Sequence, residues 1–370
     1  MEAKVVPWWW NPISLESKND AVEAISQNRF TSGPSVELLE EALSKEFKSF
    51  CAVVNSGTSS IFASLVELGI GPGDEVLVPS LTWIATAHAV MMTGASPVLV
   101  DVNPTSLVIH PKQLKKRISK KTKAVVHVNF NGKRMTSEVA EVYAEICRDR
   151  QIEVIEDSCK ALATELLSSP NTLSRTQCFS MGMISYISVG YGGFVLSQDL
   201  DLIKRIKLIR DHGVYRGSQE EYRLIGGNLK ISDILASLAL AQIPRIRERI
   251  ADTKQTINRY KGQILTDNFK ILDYGEDCIP TYIQAVCKSK EIRDFTISKL
   301  MEYGIEVIKY HEPLSRVPYL KKLPRNRNLK FTIAENVADR LLTLPSGFDL
   351  DVESIRVVCE KLNEIGENFD

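Results

Sequence analysis

The sequence predicts an α/β protein: a large domain built on a mostly parallel sheet, followed by a small C-terminal α+β domain. From about residue 50 to residue 157, short apolar runs alternate with stretches whose apolar residues recur at helical spacing. Such alternation implies right-handed crossovers and a sheet covered on both faces. Beyond residue 265 the spacing changes to short strands around two helices, and 370 residues with 44% hydrophobic content can fill one large core and a smaller companion. The large domain is placed at 1–264, with an N-terminal arm, and the small one at 265–370.

Taken in order, a polar entry leads to the helical VELLEEALSKEF and the buried strand CAVVN. SSIFASLVELGI, TAHAVMMTG, PKQLKKRIS and EVAEVYAEICRDR read as helices between the strands EVLVPS, PVLVDV, KAVVHV and EVIED. The stretch 166–176 reads as a surface loop before the strand pair CFSM and GGFVLS. DLIKRIKLIRDHG ends at a helix-stopping Gly, and ISDILASLALAQIPRIRERI reads as one long helix. KILDYG, TYIQAVC and IEVIKY are the late strands, with helices at IRDFTISKLMEYG and VESIRVVCEKLNEI.

Composition excludes several classes. Lys plus Arg equals Asp plus Glu at 46 each, so no long-range field draws the chain to nucleic acid or to an acidic membrane. No export signal and no eighteen-residue apolar run is present, and the seven cysteines are scattered without a CxxC pair. A cytoplasmic protein with reduced core cysteines and no metal is expected. Trp8, Trp9 and Trp10 are the odd feature, and three adjacent indoles fit a wedge into a neighbouring subunit or domain.

In open parallel sheets ligands sit outside the carboxyl ends of the strands, so the chemistry is sought there. Asn55-Ser56-Gly57-Thr58-Ser59-Ser60 breaks a strand into a helix start, where free amides and hydroxyls suit a phosphate; the same residues also cap helices with no ligand present. Trp83 follows another strand end and could lie on a planar ring or belong to the core. Asp157 ends EVIED and could meet a pyridinium nitrogen or cap a helix. Phe179-Ser180-Met181-Gly182-Met183-Ile184-Ser185 leads into the turn Gly190-Tyr191-Gly192-Gly193.

The order of these motifs resembles the DegT/StrS family of pyridoxal-phosphate (PLP) dependent nucleotide-sugar aminotransferases. Thr31-Ser32-Gly33-Pro34, NSGTSS, GPGDEVLVPSLTWIATAHAV, PVLVDVNPTSL, VIED, FSMGM with GYGG, DHG, GGNLKISD, His311-Glu312-Pro313-Leu314 and Leu344-Pro345 carry it across nearly the whole chain. The resemblance implies a fold-type-I, aspartate-aminotransferase-like large domain and PLP or pyridoxamine 5'-phosphate (PMP) as cofactor, which with Ser185 at the lysine position described below would be held without a covalent bond. It also implies a nucleotide-linked sugar as substrate. Ser56, Gly57, Thr58 and Ser180 would hold the cofactor phosphate, Trp83 would stack on the pyridine and Asp157 would meet its nitrogen. Asn228 would reach the phosphate of a neighbouring subunit, which makes a dimer part of the expectation.

Ser185, Ile184, Tyr191, Lys160 and Lys230 depart from the family pattern, and two of them bear on the chemistry. The fifth residue after the serine matching Ser180 is the family's Schiff-base lysine, and here it is Ser185. An alcohol forms no imine and is a poor base near neutrality. Lys160 stands where the family usually places Gln or His against the cofactor's phenolic oxygen. It could pair with that oxygen, serve as a relocated Schiff-base or proton-transfer lysine, or turn to solvent. His212 and His311 lack metal-ligand spacing.

Three functions follow from these departures. The first is a partner subunit that completes, through Asn228, the site of a lysine-bearing paralogue in amino-sugar or polysaccharide biosynthesis. The alternative is a PLP- or PMP-dependent nucleotide-sugar enzyme using Lys160 or another base, either an aminotransferase or similar to the family's sugar 3-dehydratases, in which His replaces the lysine. A binding module without cofactor is disfavoured by the intact phosphate cradle. Homodimer and heterodimer both remain open.

Overall fold

A computed structural model describes residues 5–31, 33–168, 173–216, 220–275 and 277–369. Ser32 of the Thr31–Pro34 motif and residues 169–172 of the expected loop lie outside the described residues. Strands β1 (Phe50–Val54), β2 (Glu75–Pro79), β3 (Ser96–Val100), β4 (Thr122–Val128), β5 (Glu153–Asp157), β6 (Thr176–Ser180) and β7 (Gly193–Ser197) form one sheet. Their order is β1-β7-β6-β5-β4-β2-β3. Only β7 runs against its neighbours, and the other pairings are parallel.

The pleat sends alternate residues to opposite faces. Val76 and Val78 of β2 enter one core with Ile61, Leu65 and Val90, while Leu77 joins Val98, Val125 and Tyr143 on the other face. Helices on both faces favour apolar residues on both sides of a strand, so continuous runs such as Val76-Leu77-Val78 in β2 and Ala124-Val125-Val126 in β4 are the mark of a doubly covered sheet. In helix Pro34–Phe47 the apolar stripe Leu39, Leu43 and Phe47 is buried at four-residue spacing. Its buried Glu40 accepts from the Val53 amide at 2.9 Å and so ties the helix to β1.

A second, antiparallel sheet has the order Phe269–Ile271, Gln284–Cys287, Leu341–Thr343, Ile308–Lys309. Helices Lys290–Glu302 and Val352–Glu367 cover it, packing Leu300, Val358 and Leu362 around Ala285 and Leu342.

Two elements differ from the sequence reading. The long helix expected from Ile231 to Ile250 is two helices, Asp233–Leu240 and Ile246–Gln263, joined by a tight turn at Ile243–Arg245. Pro244 lacks an amide hydrogen and its ring clashes with the preceding turn, so the helix cannot run through it. The polar entry contains the helix Leu15–Ser26, capped by Ser14, whose Oγ accepts from the Ser17 amide at 3.2 Å. Its buried residues are Ser17 and Ala24, while Leu15, Val22 and Ile25 face outward, so no apolar stripe advertises it.

The three tryptophans form a strap across the molecule. Val6 pairs with Ile305, and Trp9–Trp10 run parallel to Ser346–Gly347, so the wedge lies within the same chain. No helix among the described residues is long and apolar enough to cross a membrane.

Candidate active site

The loops that leave the carboxyl ends of β1, β2, β5 and β6 surround a cavity of about 660 Å³. Ser56 ends the first loop and caps helix Gly57–Glu67, its Oγ accepting from the Ser59 amide at 3.0 Å. The first amides of a helix have no carbonyl partner within it, and Gly57 and Thr58, which carry them, line the cavity. A Cβ at Gly57 would stand 2.8 Å from Cys159 Sγ and 3.0 Å from Ser180 Cβ, so glycine lets the helix start this close to β5 and β6. Ser180 lines the same end, its Oγ accepting from the Gly182 amide at 3.1 Å.

Asp157, 6% exposed, holds the middle of the floor. Thr86 Oγ1 donates to its Oδ2 at 2.8 Å and the Cys159 amide to its Oδ1 at 3.2 Å. Thr82 Oγ1 lies 2.9 Å from Thr86 Oγ1, which extends the chain of hydroxyls. Trp83 is no core residue: it is 60% exposed and meets His311 edge-on, centroids 5.2 Å apart at 74°. Burial pulls the His311 imidazole down to about 4, leaving it neutral at physiological pH.

Lys160 lines the cavity rather than turning to solvent, and its Nζ donates to the Ile184 carbonyl. Burial draws its pKa down to about 8, partly offset by Cys159 and Asp157. Ser185 is 2% exposed, while Ile184 lines the cavity. The Ser185 Oγ has no hydrogen-bond partner among the described residues. Asn228 lies outside this chain's own cavity; it is exposed, bridges to Asp211 and accepts from Asn55 Nδ2 at 3.2 Å through its carbonyl. Lys230 of the same turn pairs with Asp211.

Trp8, Thr86, Cys159, Tyr282 and Tyr310 also line the cavity and were not singled out as site residues from the sequence. Thr86 carried a local signal, since it lies three residues after Trp83 and so on the same side of the helix start. Cys159 lies between Asp157 and Lys160, and Trp8, Tyr282 and Tyr310 arrive from distant segments. Among the described residues no group of three or more His, Cys, Asp or Glu side chains could hold a metal.

This donor set fits a phosphorylated pyridine. A helix start with hydroxyls can take the phosphate, a buried carboxylate can meet the ring nitrogen, and an exposed indole can meet the ring.

Residues 12–363 match the DegT/DnrJ/EryC1/StrS aminotransferase family. The chain is 33% identical over 226 residues to a GDP-perosamine synthase of Caulobacter vibrioides, spanning 60% of each chain. It is 28% identical over 397 residues to the UDP-4-amino-4-deoxy-L-arabinose–oxoglutarate aminotransferase of Shewanella sediminis, covering 100% of both. The fold is shared with NtdA of Bacillus subtilis, a crystal structure with bound PMP, at a TM-score of 0.89 and 22% identity over 99% of this chain and 86% of that one. With nearly its whole length matched, the chain belongs to the DegT/DnrJ/EryC1/StrS aminotransferase family.

Proposed function

We propose that this chain binds PLP or PMP in the cavity without a covalent bond through residue 185, and that Lys160 serves a nucleotide-sugar reaction there as the proton-carrying amine. The observation that carries this reading is Lys160 itself: an amine lowered to about 8, beside Asp157, lining the cavity and bonded to the Ile184 carbonyl. Ser56, Gly57, Thr58 and Ser180 would hold the phosphate, Trp83 the ring face and Asp157 the ring nitrogen. When bound, the cofactor supplies an electron sink that acidifies a neighbouring carbon–hydrogen bond. The neutral Lys160 Nζ would accept that proton and return it at the adjacent carbon. An amine titrating near neutrality is suited to both steps. The names of the Caulobacter and Shewanella relatives support a nucleotide-linked sugar as substrate, and seven unpaired cysteines support a reducing, cytoplasmic setting.

The test is exchange of the α-hydrogen of L-glutamate with D2O in the PLP-loaded chain, followed by NMR. Glutamate is chosen because oxoglutarate is its keto partner and is named in the Shewanella relative. Exchange that falls at least about 100-fold in Lys160→Met supports the reading. Exchange at the wild-type rate in that variant sinks it.

A second reading, a subunit that completes a lysine-bearing paralogue, is favoured by a different observation. Trp83, Met183 and Tyr191 line the cavity and stand 60%, 66% and 76% exposed, an apolar collar suited to another chain. Asn228 is exposed beyond its own cavity and free to serve a neighbour's. This reading predicts no exchange by the chain alone and exchange on mixing with the paralogue.

A further inference from the structure

Lys160, Asp157 and the helix start line the cavity from the large sheet. The tryptophan strap and the second sheet line it as well, through Trp8, Ile308 and Lys309. Trp8 is held rigidly from both sides. Before it, the Val6 amide donates to the Gly304 carbonyl at 2.9 Å, and the amide of Trp8 itself donates to Glu306 Oε2 at 3.2 Å. After it, Trp9 Nε1 donates to the Met183 carbonyl at 2.9 Å, and its ring meets Phe348 edge-on with centroids 5.7 Å apart. Gly347 then passes so close, at φ +120°, that a Cβ would lie 1.9 Å from the Trp10 carbonyl oxygen. A half-buried indole fixed in this way loses little freedom when it meets a ligand.

The chemistry of this wall is specific. Lys309 is exposed, and among the described residues no carboxylate pairs with its ammonium. Ile308 is half-exposed beside it in sequence. An indole, a branched alkyl group and a free ammonium offer few acceptors for the hydroxyls of a sugar. They suit a flat heteroaromatic ring that carries an anionic group.

We propose that Trp8 and Lys309 take the nucleoside diphosphate end of the substrate, Trp8 stacking on the base and Lys309 pairing with the diphosphate. This rests on the reading of the cavity as a nucleotide-sugar site and names the wall that selects the nucleotide. The sugar then lies between the strap and Lys160, and Trp8 is a specificity-determining residue.

Calorimetry on the full PLP-loaded chain, with GDP and UDP as probes and inorganic pyrophosphate as control, tests this. Base stacking predicts that Trp8→Ala weakens GDP and UDP binding roughly 5- to 100-fold, while Trp8→Phe retains most of it. Lys309→Ala weakens binding and flattens its salt dependence. GDP binding unchanged in Trp8→Ala, or pyrophosphate binding as tightly as GDP, overturns the assignment. Because Trp8→Ala can disturb the strap, Trp8→Phe and a folded melting profile serve as checks. Glutamate exchange requires no nucleotide, so failure here leaves the Lys160 assignment standing, and failure of Lys160→Met leaves this one standing.

Discussion

Lys160 donates from Nζ to the main-chain carbonyl of Ile184, so the loop after β5 closes on the residue immediately before Ser185. An amine from the loop after β5 therefore reaches the loop that follows β6. Burial holds this amine at about 8, against an ordinary value of 10.5.

Glutamate exchange should rise with pH through a midpoint near 8, because only the neutral amine accepts a proton. A pH–rate profile in the PLP-loaded chain checks this, and a flat profile between pH 7 and 9 would exclude Lys160 as the base. The same shift acts on stability. Between about 8 and the ordinary 10.5 the unfolded chain binds the proton that the folded chain has released, so this group's contribution to stability rises with pH across that window.

His127 is 1% exposed, neither ring nitrogen has a hydrogen-bond partner among the described residues, and burial pushes it down to about 3. Its neighbour Tyr143 meets it edge-on at 5.2 Å and leaves its own hydroxyl unpartnered. Between the ordinary 6.5 and about 3, the unfolded state takes a proton that the folded state refuses. Stability contributed by this group is present above 6.5 and falls as pH drops, by up to about 1.4 kcal/mol per pH unit. Melting curves at pH 7.5 and 4.5 should show a smaller acid loss for His127→Leu than for the wild type. Equal losses would mean that the ring is reached by water or a partner.

Asp157→Asn keeps an acceptor for the Thr86 hydroxyl at its Oδ position but removes the charge. Loss of a charged hydrogen bond to the cofactor's nitrogen should weaken PLP binding roughly 10- to 100-fold in an absorbance titration. Unchanged binding would place the ring nitrogen elsewhere in the cavity.

Gly347→Ala should release the strap, since the new Cβ would meet the Trp10 carbonyl and the backbone stands at φ +120°. The expected loss exceeds the ~1–3 kcal/mol of backbone strain alone. A lower melting temperature with red-shifted tryptophan emission would report it. Wild-type emission in the variant would mean that the strap is anchored by Trp9 alone.

Much of the fold was legible in residues 50–197 because each strand there is covered on both faces. The apolar cores of CAVVN and EVLVPS read as continuous runs for that reason, whereas EVIED is apolar only at Val154 and Ile155. Helix Leu15–Ser26 was not legible, since it buries Ser17 and Ala24 and exposes its larger apolar residues. Pro244 was visible as a breaker, yet the apolar spacing on either side of it masked the turn. In the site, Ser56, Gly57, Thr58, Trp83, Asp157, Lys160 and Ser180 were named from strand ends and motif order, and all of them line one cavity.

The sequence by itself determined the alternating large sheet, the late second sheet and the strand-end residues. These follow from local periodicity and from where parallel strands must end. Tertiary structure alone decided that Lys160 points into the cavity, that Ser185 is buried while Ile184 lines the cavity, and that Trp8 lines it too. Each of those facts depends on which side of an irregular loop a side chain leaves, or on contact between segments more than a hundred residues apart. Neither is encoded in any local spacing, because packing of the finished chain sets both.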